Sequence, residues 1–222
     1  MPGLYRDNDF KDNCGFGLIT NRYGVKSHEV ITKSICALKS MTHRGGIGAD
    51  GKTGDGCGLL FNLDHEFYRN TIKLEQKINL PSHFAITQLF IQKPIKELLP
   101  KINKILKNEN LQLEAVRLVP VNKKILGSIA SACLPEIYQL FISGIEKSLD
   151  IDLFESSLLQ ARKFIEEIYN DDEMLYVCSM SSRTIVYKGL MLPDAIDLFY
   201  KDLQQKDFTA SICVFHQRFS TN

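Results

Sequence analysis

Strand-like and helix-like segments alternate along most of this chain, and that alternation restricts it to a mixed fold of sheets and helices. Strands are predicted over residues 14–20, 58–61, 83–91, 113–119, 137–142 and 210–215, with a hairpin formed by 175–180 and 184–188. Helices are predicted over residues 28–41, 64–77, 95–107, 153–169 and 193–203. Because no repeat, linker or low-complexity tract interrupts the pattern, we expect one mixed α/β domain.

Two of the predicted helices carry further local signals. Ser27 precedes the first, and its hydroxyl is of the kind that caps a helix N-terminus. In that helix Ile31, Ile35 and Leu38 share one face. The helix over 153–169 has an apolar stripe that predicts one buried face, formed by Phe154, Leu158, Ala161, Ile165 and Ile168.

A glycine-rich segment separates the first helix from the next strand. Seven of the 14 glycines lie between Gly45 and Gly58, where periodic structure is not expected. The segment is either a flexible surface loop or a rigid set of turns that brings backbone close to a ligand. It lacks the Gly-x-x-x-x-Gly-Lys-Ser/Thr pattern and follows a helix, so we do not expect a nucleotide site.

Composition excludes several classes of function. Lys plus Arg is 27 and Asp plus Glu is 26, giving a net charge of +1 and no electrostatic signature of nucleic-acid or membrane-surface binding. Residues 1–13 are polar and charged, unlike a secretory signal, and no apolar run approaches the ~20 residues of a membrane span. The six cysteines show neither disulfide-framework nor zinc-site spacing. We therefore expect a cytoplasmic protein.

Cys14 is the strongest candidate for chemistry. It follows the polar leader of residues 1–13 and precedes small and apolar residues. If the leader were removed at the bond between Asn13 and Cys14, one residue would carry both a thiol and a free α-amine. These groups titrate near ~8.5 and ~7.7 to 8.0, so the amine is a suitable base for the thiol. Taken alone, a cysteine near an N-terminus is more often a small buried apolar residue than a catalyst.

Three motifs occur together in this sequence. Asp-Asn-Cys-Gly-Phe-Gly spans residues 12–17, His43-Arg44-Gly45 is followed by Thr-Gly-Asp-Gly-Cys-Gly at 53–58, and His-Gln-Arg-Phe-Ser-Thr-Asn spans 216–222. In this order and at these separations they resemble the class II, or N-terminal nucleophile, glutamine amidotransferases, and within them the glutamate synthase family. The resemblance implies an α+β fold, the four-layer αββα sandwich, with residues 1–13 as a leader and 14–222 as an amidotransferase domain.

The resemblance also implies roles for particular residues. Cys14 would be the nucleophile, and Arg218 would bind the glutamine α-carboxylate, for which a planar guanidinium offers two parallel hydrogen bonds. Arg44 would lie beside the nucleophile, where it would either act on Cys14 or hold the glycine segment through backbone carbonyls. A terminal amine makes a histidine base unnecessary, so we give His43 and His216 no catalytic part. Asp55 and Cys57 are interpreted as loop architecture.

The implied activity is hydrolysis of L-glutamine to L-glutamate and ammonia, with the ammonia aminating 2-oxoglutarate in a longer enzyme. FMN, an iron–sulfur cluster and NADPH, oxidised through the FAD of a small partner subunit, would belong to that longer enzyme, with downstream synthase domains on the same polypeptide. No cofactor or metal is expected within this chain.

In the family an Asn-Gly pair downstream of the third motif stabilises the oxyanion, and this sequence contains no Asn-Gly dipeptide. We therefore expect an amino-terminal fragment that is nearly inactive alone, since losing even one oxyanion donor typically costs ~10²- to 10³-fold in turnover. Two alternatives stay open. One is another N-terminal nucleophile enzyme, such as a phosphoribosylpyrophosphate amidotransferase or a non-glutamine amidase. The other is a non-catalytic folding or interaction module.

Overall fold

The computed structural model describes residues 15–146, 150–169 and 175–218. Within these ranges the chain forms β-strands and α-helices in alternation, so the predicted mixed fold is confirmed. The strands are β1 (Gly15–Thr20), β2 (Cys57–Asn62), β3 (Ala85–Ile91), β4 (Leu111–Leu118), β5 (Glu136–Gly144), β6 (Leu175–Ser181), β7 (Thr184–Gly189) and β8 (Ile212–Gln217). The helices are α1 (His28–Ser40), α2 (His65–Gln76), α3 (Ile95–Asn108), α4 (Ser128–Ala132), α5 (Ile151–Ile168) and α6 (Ile196–Phe199).

The strands form two antiparallel sheets. The first has the order β1-β8-β2-β7 and the second the order β4-β5-β3-β6. The predicted hairpin is therefore wrong in its pairing: β6 and β7 are joined by a short turn, but β6 pairs with β3 and β7 with β2. The chain changes sheet at this turn.

The edge of β7 lies against side chains of the second sheet. The carbonyl oxygen of Val186 accepts a hydrogen bond of 2.8 Å from Gln88 Nε2, and its backbone N–H donates to Ser179 Oγ at 3.4 Å. Polar side chains thus satisfy backbone groups that an edge strand would otherwise leave unpaired.

The core has two parts. One lies between the second sheet and the pair α3 and α5, and it buries the predicted stripe of α5 except Ile168, which is 53% exposed because it lies at the last position of the helix. The larger part joins α1, α2, the first sheet and one face of the second. Its fully buried large side chains include Phe61, Tyr68, Phe141, Tyr187 and Phe208.

A buried ion pair joins strand β4 to the segment after α6. Arg117 donates to both carboxylate oxygens of Asp202, at 2.8 and 2.9 Å, and both side chains are almost fully buried. Glu75 on α2 and Gln139 on β5 accept further hydrogen bonds from the same guanidinium. Asp202 also accepts a hydrogen bond from the Tyr187 hydroxyl on β7, so the network joins both sheets and α2. Desolvation inside it is offset by its many hydrogen bonds.

Two local predictions are corrected by tertiary contacts. Ser27 is at the N-cap position of α1, but its side chain makes no capping hydrogen bond; its backbone pairs instead with Ala210. The helix predicted over 193–203 is broken into a 3₁₀ turn, α6 and a second 3₁₀ turn. The break falls at Tyr200, which is extended, bridges to Val121 and donates its hydroxyl to the Lys188 carbonyl at 2.7 Å.

Candidate active site

The candidate site is arranged around the start of β1. Strand β8 lies between β1 and β2, so Gln217 is opposite Gly15 on one side and Cys57 on the other. Gly15 directly follows Cys14 in sequence. Cys14 itself lies outside the described residues, so the site is located here through its neighbour.

Arg44 lies next to Gly15. It ends the 3₁₀ turn Thr42–Arg44 that continues α1, and its side chain is exposed. A Cβ placed on Gly15 would lie 3.4 Å from Arg44 Cγ and 3.2 Å from Met41 Sδ. The glycine of the first motif therefore allows the stem of Arg44 to approach the strand closely.

The glycine at position 17 likewise leaves room for a neighbouring side chain. A Cβ there would lie 2.3 Å from the ring of Phe215, which faces Gly17 across the β1–β8 pair. The first motif thus has glycine at the two positions where neighbouring side chains fill the space of a Cβ.

The glycine-rich segment is held by its own side chains. Asp50 accepts hydrogen bonds from the N–H and hydroxyl of Thr53 and from the N–H of Ile129, and these bonds lower the pKa of the Asp50 carboxyl. Asp55 accepts a hydrogen bond of 2.8 Å from the Gly46 N–H. These contacts favour the rigid interpretation of the segment over the flexible one.

Arg218 is attached to that segment at two points. Its backbone N–H donates to the Gly56 carbonyl at 2.7 Å, and its Nε lies 3.8 Å from Asp55 Oδ2. Arg218 has a φ of 81°, in the left-handed region, so the strand ends there and the backbone turns. Asp55 therefore connects the second motif to the arginine of the third.

Gln217 is a residue that the sequence did not single out. Its side chain is fully buried, and neither its Nε2 nor its Oε1 has a hydrogen-bond partner among the described residues. A Cβ placed on Gly45 would lie 2.2 Å from Gln217 Nε2. The Gln217 amide therefore fills the space that a side chain at position 45 would need. The only sequence signal was its position between His216 and Arg218 in the third motif.

The two histidines near these motifs differ in environment. His43 is exposed in the 3₁₀ turn. His216 lies on β8, opposite Phe16 and Gly58, and burial lowers its pKa.

The described cysteines are all free thiols. Cys57, Cys178 and Cys213 are buried, and burial raises the pKa of each to about 12. Since a thiolate is the nucleophilic form, these three are poor nucleophiles at neutral pH. Cys36 and Cys133 are exposed, and the Cys133 thiol donates to the carbonyls of Ile129 and Ala130.

An apolar cavity of about 370 Å³ lies between α4 and the end of β7, with Phe90, Leu134, Ile137 and Met191 among its lining residues. It contains neither candidate arginine. In the ranges 15–146, 150–169 and 175–218 no group of three or more His, Cys, Asp or Glu side chains is arranged to hold a metal ion. The helices of those same ranges include none that is both long and apolar enough to cross a bilayer.

Comparison with known proteins places this site in a family. The family model of class II glutamine amidotransferases matches residues 14–222, and the chain belongs to that family. The matched region begins at Cys14 and contains Arg44 and Arg218.

The curated relatives are glutamate synthases. The glutamate synthase [NADPH] large chain of Bacillus subtilis is 35% identical over 226 residues, which cover 99% of this chain and 15% of the relative. The corresponding large chain of Azospirillum brasilense is 34% identical, covering 98% of this chain and 15% of its own length. Ferredoxin-dependent glutamate synthase 1 of Arabidopsis thaliana is 36% identical over a match that covers 94% of this chain and 13% of the relative. The chain thus matches a region of about 15% of the length of these large chains.

Proposed function

We propose that this chain is the glutaminase domain of a glutamate synthase, with Cys14 as an N-terminal nucleophile after removal of residues 1–13. The domain would hydrolyse L-glutamine to L-glutamate and ammonia, and synthase domains of the longer enzyme would use the ammonia to aminate 2-oxoglutarate. The proximity of Arg44 to Gly15, together with the contact between Arg218 and Asp55, is the observation that carries the proposal. The relatives favour this function over other N-terminal nucleophile enzymes, because each is named a glutamate synthase.

The proposed reaction has two covalent steps. The α-amine of Cys14 takes the thiol proton, and the sulfur attacks the carboxamide carbon of glutamine. The carbon–nitrogen bond of the carboxamide breaks, and the proton taken from the thiol passes to the departing nitrogen. Ammonia leaves, and the acyl group stays on the Cys14 sulfur as a thioester. Water then attacks the thioester, which releases glutamate and restores the thiol.

Arg218 would bind the substrate α-carboxylate. Its guanidinium offers paired donors to a carboxylate, and its contact with Asp55 would orient it. Arg44, exposed beside Gly15, would favour the thiolate of Cys14 through its positive charge.

The finer architecture and the cofactors are part of the same proposal. Two antiparallel sheets with helices against them are compatible with the four-layer αββα sandwich. By resemblance, FMN, the iron–sulfur cluster and NADPH oxidation, with its small FAD subunit, would belong to other parts of the longer enzyme.

Replacing the nucleophile tests the proposal. Cys14→Ala in the longer enzyme should abolish glutamine-dependent glutamate formation while synthesis from free ammonia continues, because only amide cleavage uses the thiol. The matched controls are Cys36→Ala and Cys133→Ala, whose thiols are exposed and whose removal should leave both activities intact. Equal loss of both activities in a folded Cys14→Ala enzyme would contradict the assignment.

Processing provides a separate test. Intact-mass analysis of the active enzyme should show Cys14 as the first residue, because an acylated amine cannot act as the base. A fully active enzyme that retains residues 1–13 would overturn the mechanism.

A further inference from the structure

The apolar cavity between α4 and the end of β7 has a buried floor and an open rim. Its floor includes Ile137, Met191 and Phe199, which are almost fully buried. Its rim includes Cys133 and Tyr176, which are exposed. The cavity volume of about 370 Å³ is that of a ligand pocket, since such pockets hold roughly 300 to 1,000 Å³ and are mainly apolar. The cavity is therefore suited to a small molecule with an apolar body.

A positive charge lies at the rim of this cavity. Of the described residues that line it, Lys188 alone is of a charged type. Its ammonium donates to the Tyr176 hydroxyl and lies 4.4 Å from the centre of the Tyr176 ring. Both contacts hold the charge beside the exposed tyrosine, where it would attract an anionic group. A singly charged carboxylate on an apolar chain matches this combination of an apolar floor and one ammonium at the rim.

The wall of the cavity is attached to the glycine-rich segment. Ala130 on α4 lines the cavity, and its backbone N–H donates to Thr53 Oγ1 at 3.1 Å. Met191 lines it too and packs against Gly54, because a Cβ placed on Gly54 would lie 2.9 Å from the Met191 carbonyl oxygen. Two residues of the wall thus contact two consecutive residues of the segment.

We propose that this cavity binds a small apolar monocarboxylic acid and that the bound acid stabilises the glycine-rich segment. The apolar chain fills the space over the buried floor, and the carboxylate pairs with Lys188. Movement of the segment away from Ala130 and Met191 would release the wall and change the shape of the cavity. A ligand that fits the present shape therefore favours the attached state of the segment.

The stabilised segment includes Asp55, which contacts Arg218, so an occupied cavity would also affect the candidate active site. Binding of the acid and stabilisation of the segment are nevertheless properties of this chain, and neither requires glutaminase activity.

Octanoate is a suitable probe, because it joins a carboxylate to an unbranched apolar chain. It should slow the reaction of Cys133 with iodoacetamide in a saturable way, since this exposed thiol lines the cavity. For a ligand of this size we expect an apparent Kd on the order of 0.1 to 1 mM. Peptide mass spectrometry gives the rate at each cysteine. Cys36 is the matched control, because it is exposed but is not among the lining residues, and its rate should not change.

Two variants separate the apolar part of the site from the charged part. Leu134→Trp places a larger side chain in the cavity and should abolish the protection of Cys133 by octanoate. Its control is Leu159→Trp at an exposed position of α5, which should leave the protection intact. Lys188→Met keeps the length of the side chain and removes the charge, so octanoate should bind about tenfold more weakly. Octanol, which is neutral, should bind Lys188→Met and wild type equally.

Hydrogen exchange tests the effect on the segment. At octanoate concentrations of about ten times the Kd, backbone amides of residues 46–56 should exchange up to about tenfold more slowly, because opening then requires release of the ligand. The amides of α5 are the control, since this helix packs on the second sheet and contributes no lining residue. Their exchange should stay the same.

Three results would overturn the proposal. If octanoate leaves the labelling of Cys133 unchanged, or slows Cys36 equally, the cavity does not bind it. If octanol protects Cys133 as well as octanoate does, and Lys188→Met alters neither, the site does not recognise a carboxylate. If Cys133 is protected while exchange in residues 46–56 is unchanged, the cavity is not coupled to the glycine-rich segment.

Discussion

The Nε of Arg218 lies 3.8 Å from Oδ2 of Asp55, so the arginine of the third motif contacts the carboxylate of the second. The same Oδ2 accepts the Gly46 N–H at 2.8 Å. Asp55 thus links the glycine-rich segment to Arg218 with one side chain. This contact explains why motifs more than 160 residues apart in sequence can form one site.

Arg218→Ala should weaken glutamine binding in the longer enzyme about ten- to a hundredfold. Removing a charged donor from a carboxylate typically costs ~1.5 to 3 kcal/mol, and each 1.4 kcal/mol is about a factor of ten. Arg218→Lys should recover only part of the loss, because an ammonium cannot donate two parallel hydrogen bonds. The measurement is the glutamine KM, with Arg22→Ala, an exposed arginine beside Tyr23, as the control. An unchanged KM in the folded Arg218→Ala enzyme would assign the residue a structural role.

Thiol labelling should divide the described cysteines into two groups. At pH 8 iodoacetamide should modify Cys36 and Cys133, which are exposed. Cys57, Cys178 and Cys213, each with a pKa of about 12, should react on the order of a thousandfold more slowly than an ordinary thiol of pKa ~8.5, because the thiolate is the reactive form. Peptide mass spectrometry gives the rates, and labelling in denaturant should abolish the difference. Rapid native labelling of Cys57 would disprove its buried environment.

Secondary structure was largely predictable because it is encoded locally. The stripe of Phe154, Leu158, Ala161 and Ile165 is buried as predicted, since helical spacing alone determines which residues share a face. Strand pairing was not predictable in the same way. A turn between two strand-like runs resembles a hairpin, and only the sheets themselves show that β6 and β7 separate after it.

Site residues are suggested by the sequence where the chemistry resides in residue type within a motif, and not where it depends on environment. Arg218 is a candidate carboxylate ligand through its guanidinium and its motif, and that role stays a prediction. Gln217 could not be singled out, because a glutamine in a strand gives no local indication that it is buried without a partner. The break of the predicted helix at Tyr200 has the same origin, since its bridge to Val121 is a tertiary contact.

Alkaline pH should destabilise the fold. Burial raises the pKa of Cys57, Cys178 and Cys213 from 9.0 to about 12, so the folded state keeps protons that the unfolded state releases. The stabilisation is therefore complete below pH 9 and is lost as the pH rises toward 12. Urea unfolding at a series of pH values should show the decline, which Cys213→Ala should reduce and exposed Cys36→Ala should not. A free energy of unfolding that stayed constant through this range would contradict the burial of the thiols.

Asp202→Ala should be among the most destabilising substitutions in this domain. The Asp202 carboxylate accepts two hydrogen bonds from Arg117, at 2.8 and 2.9 Å, and one from the Tyr187 hydroxyl at 3.1 Å. Removing one partner of a buried ion pair typically costs ~3 to 5 kcal/mol, because the other charge stays buried. Glu75 also contacts Arg117, so we expect the lower end of that range.

Urea denaturation of this chain measures the effect of Asp202→Ala on the free energy of unfolding. The control is Glu166→Gln, which breaks a surface pair with Arg162 one helical turn away and should cost only ~0.3 to 0.5 kcal/mol. The double variant Arg117→Met with Asp202→Leu should recover much of the loss, because it leaves no unpaired charge in the core. If Asp202→Ala and Glu166→Gln destabilised the fold equally, the Arg117–Asp202 pair would contribute no more than a surface pair, and the buried network would not hold the two sheets together.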